Sequence, residues 1–361
     1  MTTISDTAGT HAPGAAVDTQ TVDVDVHVAP ASVQDLAPYL SAYWNEYFAD
    51  AETDLSPTAG ASYPEGFATS GGPLPQRLQT LRSDYLDVAR PATAILNCVS
   101  SFGANRNPYC QVAVTSAIND WMAQEWLAQD SRLRGSIVVP SVDIKAAVAE
   151  IDRVGADERF VQVLLPVRGH DARYGHVRFR EVFEAADRHG LVVGLHAWGR
   201  RGSAPVSAGF TNTYIDDYLL NSQVLVQEQL VSLVTEGVFD QFPRLHVALL
   251  ECGFSWLPAL MMRFQKDWKA IWREVPWMKH EPAHYLLENV RASTEPVQLP
   301  SDPVHVRQIL DQIGAGDLLM FASDFPHDHG GERDRLLNAL TDEERSAVLH
   351  GNARDFYRLD S

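Results

Sequence analysis

Eight short apolar runs, most of them followed by a segment of helical spacing, constrain this chain more than any other feature. The runs fall at 21–28, 92–99, 133–140, 159–166, 191–198, 244–251, 290–294 and 318–325. Helical spacing appears at 112–129, 143–155, 177–189, 223–238, 255–270, 303–313 and 332–349. Strands that are apolar almost throughout are buried on both faces, and strands alternating with helices pair in parallel. Eight such units predict a closed (β/α)8 TIM barrel. A barrel of this kind occupies one large domain, here 21–361, and so overrides the two or three domains that 361 residues would otherwise suggest. Residues 1–20 are polar and rich in small residues, and are expected to be a disordered tail. Between the first two strands, 29–90 is rich in Pro, Gly, Ser and aromatics and reads as an irregular insertion or lid. Its aromatic cluster, Tyr39, Tyr43, Trp44, Tyr47 and Phe48, suits either a cover over a pocket or a contact between subunits.

Charge narrows the partners. The chain carries 29 Lys+Arg against 47 Asp+Glu, a formal charge of −18, and its first basic residue is Arg77. Without a basic patch it is not expected to bind nucleic acid or an anionic membrane surface. No window approaches the ~20 apolar residues of a membrane helix, and the start lacks the basic-then-apolar order of a signal peptide. Three cysteines, Cys98, Cys110 and Cys252, form no disulfide framework and favour a reducing compartment. The expectation is a cytoplasmic protein that acts on a small molecule, most naturally as a homodimer.

In a TIM barrel the chemistry sits at the C-terminal ends of the strands. Strand 1 ends in Asp23-Val24-Asp25-Val26-His27, and a period of two puts Asp23, Asp25 and His27 on one face with the valines on the other. His196 ends the fifth run, Glu251 the sixth and Asp324 lies at the end of the eighth. Unpaired charges in an apolar barrel mouth are costly, and a divalent cation is the simplest partner for such a set. Imidazole with carboxylate suits Zn²⁺, Mn²⁺ or Fe²⁺, and a bound metal lowers the pKa of its water from ~15.7 towards ~7. Asp324 is placed to ligate and to accept the water's proton, and Glu251 to act as a second acid or base. Arg168 and His170, beyond strand 4, sit where they can bind a substrate carboxylate. His327, in PHDHG after Asp324, is a pocket candidate, whereas His329 reads as a solvated loop residue. Cys252 is turned by alternation into the helix layer, and the following GFSW lacks the G-x-S-x-G of a serine nucleophile.

These residues resemble the amidohydrolase superfamily, and within it the amidohydrolase-related branch that includes aminocarboxymuconate semialdehyde decarboxylase. The branch carries Asp/Glu-x-His-x-His on strand 1, His on strand 5, His or Glu on strand 6 and Asp on strand 8. Here those positions read Asp23-x-Asp25-x-His27, His196 in GLHAWG, Glu251 in LLECGFSWLP and Asp324 in FASDFPH. Similar stretches at 119–140, 179–193 and 351–359 extend the resemblance over nearly all of 22–357. It implies one divalent ion, Zn or Mn, held by Asp25, His27, His196 and Asp324, with catalysis by Asp324, Glu251 and His196. Two departures stand out: Asp25 replaces a His, and Glu251 stands where the branch's decarboxylases carry a His proton donor. They incline the reading towards hydrolysis of a small carbonyl substrate, an amide, lactone or C–C bond, by a metal-activated water. The alternative is non-oxidative decarboxylation of an aromatic or unsaturated acid, with Glu251 protonating the carbon that loses CO2.

Overall fold

The computed structural model describes residues 20–50, 74–99, 107–140, 142–168, 172–197, 213–327, 329 and 332–359. The tail expected over 1–20 therefore lies outside the described residues except for Gln20, as does 51–73 of the insertion. The eight expected strands form as β1 (Val22–His27), β2 (Thr93–Asn97), β3 (Leu133–Val138), β4 (Phe160–Pro166), β5 (Val192–His196), β6 (Val247–Leu250), β7 (Val290–Ser293) and β8 (Leu319–Met320). They make one sheet in sequence order, parallel at every pairing. The last strand is much shorter than the run that announces it. Beyond Met320 the chain leaves β7 and bonds to β1 instead, through Val24 N–H to Phe321 O (3.0 Å) and His27 N–H to Phe325 O (2.8 Å). A bridge of Val26 to Phe325 completes the closure.

Closure divides the apolar residues into two layers. Ile95, Leu164, Val192, Ala248, Leu250 and Met320 fill the barrel, with Phe356 and Tyr357 of the C-terminal helix packed against them. Their neighbours in sequence, such as Ala94, Leu96, Val163, Leu165, Val193 and Leu249, pack outward under the helices. The alternation breaks at two places, in β4 beside Gly135 and Ser136 and, with more consequence for the site, in β1. In β1, Asp23 pairs with Ala94 and Val26 with Leu96, so three residues on β1 span two on β2 and the register shifts between them. Val22 and Val24 therefore join the interior, while Asp23 takes the parity of outward-facing Ala94. Asp23, Asp25 and His27 do not share one face as a simple period of two predicts. A β-bulge adds one residue, and everything before it changes side.

Asp23 instead serves the seam between the barrel and the insertion. It accepts hydrogen bonds from Tyr85 Oη, from Ser323 N–H (3.0 Å) and from Asp25 N–H (3.1 Å). Tyr85 comes from the insertion, which is less irregular than its composition suggests. Val33–Tyr39 forms tight helical turns, Ala42–Asp50 an α-helix, and Leu78–Ala89 a helical run that carries Tyr85. The ring of Tyr85 also stacks on Phe325 at 4.9 Å. The aromatic cluster lies on the Ala42–Asp50 helix and its neighbour: Phe48 is buried, Tyr39 Oη donates to Glu125 (2.7 Å), and Tyr43 is exposed.

Helix ends follow local chemistry. Asn107 caps the helix beginning at Pro108, and Asp302 caps Pro303–Ile313, which stops at Gly314 with φ of 63°. The helix expected over 332–349 is two, because Thr341 starts a new one with a reciprocal capping box to Glu344. Glu344 is also gripped by both terminal nitrogens of Arg307 (2.8 Å each). No helix of the described residues is long and apolar enough to cross a membrane.

The Arg307 fork gives a pH signature. Its hydrogen bonds outweigh burial and, with those of Thr341, bring the Glu344 carboxyl from 4.5 down to about 2. A carboxyl with a depressed folded-state value adds stability above its unfolded value and loses it as pH falls. Glu344→Gln should therefore be less stable than the native chain above pH 4.5, with the gap closing towards pH 2 in urea titrations. A gap independent of pH would contradict the assignment.

Candidate metal centre

The bulge that turns Asp23 away leaves Asp25 and His27 pointing into the barrel, each fully buried. Asp25 faces two imidazoles: His27 Nε2 lies 3.3 Å from its Oδ1, and His196 Nε2 lies 3.4 Å from its Oδ2. His27 Nε2 is also 2.7 Å from Asp324 Oδ1. The two imidazoles meet edge to face, with centroids 5.1 Å apart. Glu251 approaches from the other side of His196, its Oε2 3.7 Å from Nδ1. The four side chains proposed from the sequence as metal ligands are thus brought together, with Glu251 beside them.

Two of these residues hold unusual backbone. Asp324 and Glu251 both have φ of 54°, the left-handed region that side chains with a Cβ seldom occupy. Such strain survives only where the surroundings fix it, and it gathers at functional sites. At Glu251 the support is a hydrogen bond from its N–H to Ser293 Oγ (3.1 Å). At Asp324 it is a tight turn in which His327 N–H returns to the Asp324 carbonyl (2.8 Å). That turn aims two histidines back at one carboxylate. His327 Nδ1 is 3.1 Å from Asp324 Oδ1, and His329 Nε2 is 2.5 Å from Oδ2.

The electrostatics express a demand for positive charge. Burial alone would lower the His27 pKa, but the charges of Asp25, Asp324 and Glu251 and the bond to Asp324 raise it to about 10. Burial would lower His329 too, but its bond to Asp324 and the charges of Asp324, Glu295 and Glu251 together raise it to about 9. Burial would raise Asp324, yet His327, His27 and His329 hold it well below the usual carboxylate range. Glu251 is pushed up, chiefly by burial and then by the negative charge of Asp324.

The donor set fits a divalent cation. Asp25, His27 and His196 place ligand atoms within 4.8 Å of one another, as do His27, Asp324 and His327. Asp25 Oδ2, Nδ1 of His27 and both ring nitrogens of His196 are buried without a hydrogen-bond partner among the described residues. Buried polar atoms are almost always satisfied, and a cluster of orphaned lone pairs on ligating groups is what an ion resolves.

The remaining candidates divide. Arg168 is buried just past β4, next to Val167, whose N–H bonds to His196 O (2.9 Å), so it stands at the same rim. His170 lies outside the described residues. His327 contacts the Asp324 carboxylate and packs on the His27 ring at 4.8 Å. His329, taken from the sequence as solvated, makes the shorter contact to Asp324. Asn97, which sequence reasoning passed over, donates to Asp25 Oδ1 (2.8 Å). A signal existed: Asn97 is a polar residue ending a buried strand, the same pattern that marks His196.

Mn²⁺ at about 100 times its dissociation constant should stabilise the native chain by about 2.7 kcal/mol, read as a rise in melting temperature. His196→Ala should lose most of that rise. Equal rises in both proteins would contradict the ligand set.

The family model described as Amidohydrolase matches residues 22–359. A gamma-resorcylate decarboxylase of Rhizobium radiobacter is 25% identical over 267 residues, covering 69% of this chain and 77% of that protein. The solved 5-carboxyvanillate decarboxylase of Sphingomonas paucimobilis superposes with a TM-score of 0.70 at 20% identity, over 94% of this chain and 99% of that one. A dihydroxybenzoic acid decarboxylase of Polaromonas sp., solved with manganese and 2-nitroresorcinol, gives 0.60 at 17% identity, over 95% and 98%. At such identities the structural likeness establishes the TIM-barrel fold. The chain belongs to the amidohydrolase family, in the amidohydrolase-related branch that includes aminocarboxymuconate semialdehyde decarboxylase.

Proposed function

We propose that this chain is a metal-dependent, non-oxidative decarboxylase of a hydroxylated aromatic acid. One observation carries the reading. Each oxygen of Asp324 is engaged by an imidazole of the following loop, Oδ1 by His327 at 3.1 Å and Oδ2 by His329 at 2.5 Å. A carboxylate so engaged is a poor acceptor for a water's proton, which hydrolysis requires of it. Decarboxylation asks for no such base. It needs a proton delivered to carbon, and Glu251 is placed for that. Its side chain keeps 17% exposure at the barrel mouth, against 0–1% for Asp25, His27, His196 and Asp324. The decarboxylases among the relatives support the same choice, in preference to hydrolysis of an amide, lactone or C–C bond.

Asp25, His27, His196 and Asp324 would hold the cation, and the two carboxylates in that set favour a hard ion such as Mn²⁺ alongside Zn²⁺. What a divalent cation supplies at such a site is Lewis acidity and orientation of a chelating substrate. Around it His327 and His329 fix Asp324, and Arg168 at the rim is the cationic partner for a substrate carboxylate. Glu251 donates its proton to the ring carbon that bears the carboxylate. The electron pair of the C–C bond then returns to the ring as CO2 leaves. The next proton to reach Glu251 comes from solvent.

The test is CO2 release from a panel of hydroxybenzoates, gamma-resorcylate among them, by protein loaded with Mn²⁺. Turnover in D2O should place one deuterium on the carbon that lost CO2. Glu251→Gln should lower kcat by about 10²–10⁴-fold, the usual worth of a general acid. Hydrolysis of amides or lactones without CO2 release from any acid would overturn the reading.

A further inference from the structure

A continuous line of buried polar side chains crosses the barrel interior, where Val, Leu, Ile, Ala and Met pack around it. It begins at Tyr357 on the C-terminal helix, whose hydroxyl donates to Gln162 Oε1 (2.8 Å). Gln162 Nε2 donates to Ser136 Oγ (2.9 Å) and to Asn97 Oδ1 (3.1 Å), and Ser136 Oγ donates to the same Asn97 oxygen (2.6 Å). Asn97 Nδ2 then donates to Asp25 Oδ1 (2.8 Å) and to the Val24 carbonyl (3.3 Å). Asn97, Ser136 and Gln162 are fully buried and Tyr357 is 3% exposed.

The direction of every bond in this line is forced. The Asp25 carboxylate and the Val24 carbonyl can only accept, so the Asn97 amide nitrogen must face them. Its oxygen then faces Ser136 and Gln162, which must both donate. Gln162 accordingly turns its oxygen to Tyr357, whose hydroxyl has to be the donor. No amide in the line can flip without leaving buried groups unpaired, which costs roughly 1–3 kcal/mol for each. The backbone makes room for it: a Cβ on Gly194 would stand 2.5 Å from Gln162 Cδ, so only glycine fits beside that side chain. At the far end the consequence is specific. Asn97 occupies Asp25 Oδ1, while Oδ2, facing His196, is left without a hydrogen bond.

We propose that Asn97 is a positioning residue for Asp25, and that the line from Tyr357 through Gln162 and Ser136 fixes the amide orientation that offers one Asp25 oxygen to the metal. The inference rests on Asp25 being a metal ligand. With Asn97 in place, Asp25 binds through Oδ2. Without it the carboxylate is free to turn and offer both oxygens, which loosens the site and raises the coordination number. Partners that orient ligands in this way are typically worth about 10–100-fold in metal affinity.

The test is titration of the chelator-stripped full chain with Mn²⁺, followed by electron paramagnetic resonance, and with Co²⁺, followed by visible absorption. Asn97→Leu should raise the Mn²⁺ dissociation constant about 10–100-fold. It should also weaken the Co²⁺ bands, because higher coordination numbers absorb less. Tyr357→Phe, which cuts the line at the end remote from the site, should shift both readouts in the same direction by a smaller amount. A purely structural role for Tyr357 would change the melting temperature and neither metal readout. If the native chain binds Mn²⁺ and Asn97→Leu binds it equally with unchanged Co²⁺ bands, this inference is overturned while the metal site stands. If Asn97→Leu does not fold, unchanged readouts in Tyr357→Phe overturn it instead. A native chain that binds neither ion overturns the metal reading, and this one with it.

Discussion

Two carboxylates, Asp25 and Asp324, are buried side by side at the end of a barrel packed with valine and leucine, and the rest of the structure answers to that fact. Each would cost several kcal/mol to remove from water unless charge of the opposite sign came with it. Protons on imidazoles are one source, and the elevated pKa values of His27 and His329 show how strongly the site calls for them. A dication is the other source. It would neutralise both carboxylates together and use the nitrogen lone pairs of His196 that the protein leaves unpaired. The fold brings these groups in from β1, β5 and the segment after β8, so the barrel must close fully before the charge is balanced.

Closure in turn depends on what happens outside the site. The final strand pairs with β7 over only two residues and then crosses to β1, and that crossing is pinned by Asp23, Ser323 and the insertion's Tyr85. Arg333 adds a brace, donating to Glu295 (2.8 Å) and to the Ser323 carbonyl (2.7 Å). Asp324 is the next residue. Its left-handed backbone is thus held by a network on the outer face of the barrel while its side chain works on the inner one. This explains why the acidic stretch around strand 1 contains two aspartates with unrelated tasks. Asp25 belongs to the candidate metal centre, and Asp23 to the seam.

The periodicity of the sequence was enough for the strands, their parallel order and the residues at their ends, because burial on both faces leaves a continuous apolar run. It was enough for His27 and His196, whose inward parity is undisturbed. It failed at Asp23 because a bulge leaves no mark on a pattern of alternating valines. It failed on 332–349 because the cap at Thr341 was not weighed against a helical pattern that continued through it. His329 looked solvated because no pattern reveals the turn that folds the loop back onto Asp324. Asn97 was legible but unread, its amide standing among candidates that carried charge. The lean towards hydrolysis comes from two residue types, Asp25 and Glu251, that depart from the pattern of the family the chain resembles. Where each oxygen of Asp324 is spent is a matter of distances, which no sequence displays.

The central claim is that the four convergent ligands hold one metal ion. Anomalous diffraction at the manganese edge, from crystals of the protein grown with Mn²⁺, tests it most directly. The account predicts a single peak bounded by Asp25 Oδ2, His27, His196 and Asp324, with Asn97 still bonded to Asp25 Oδ1. A peak elsewhere, or none in this cluster at saturating Mn²⁺, would contradict it.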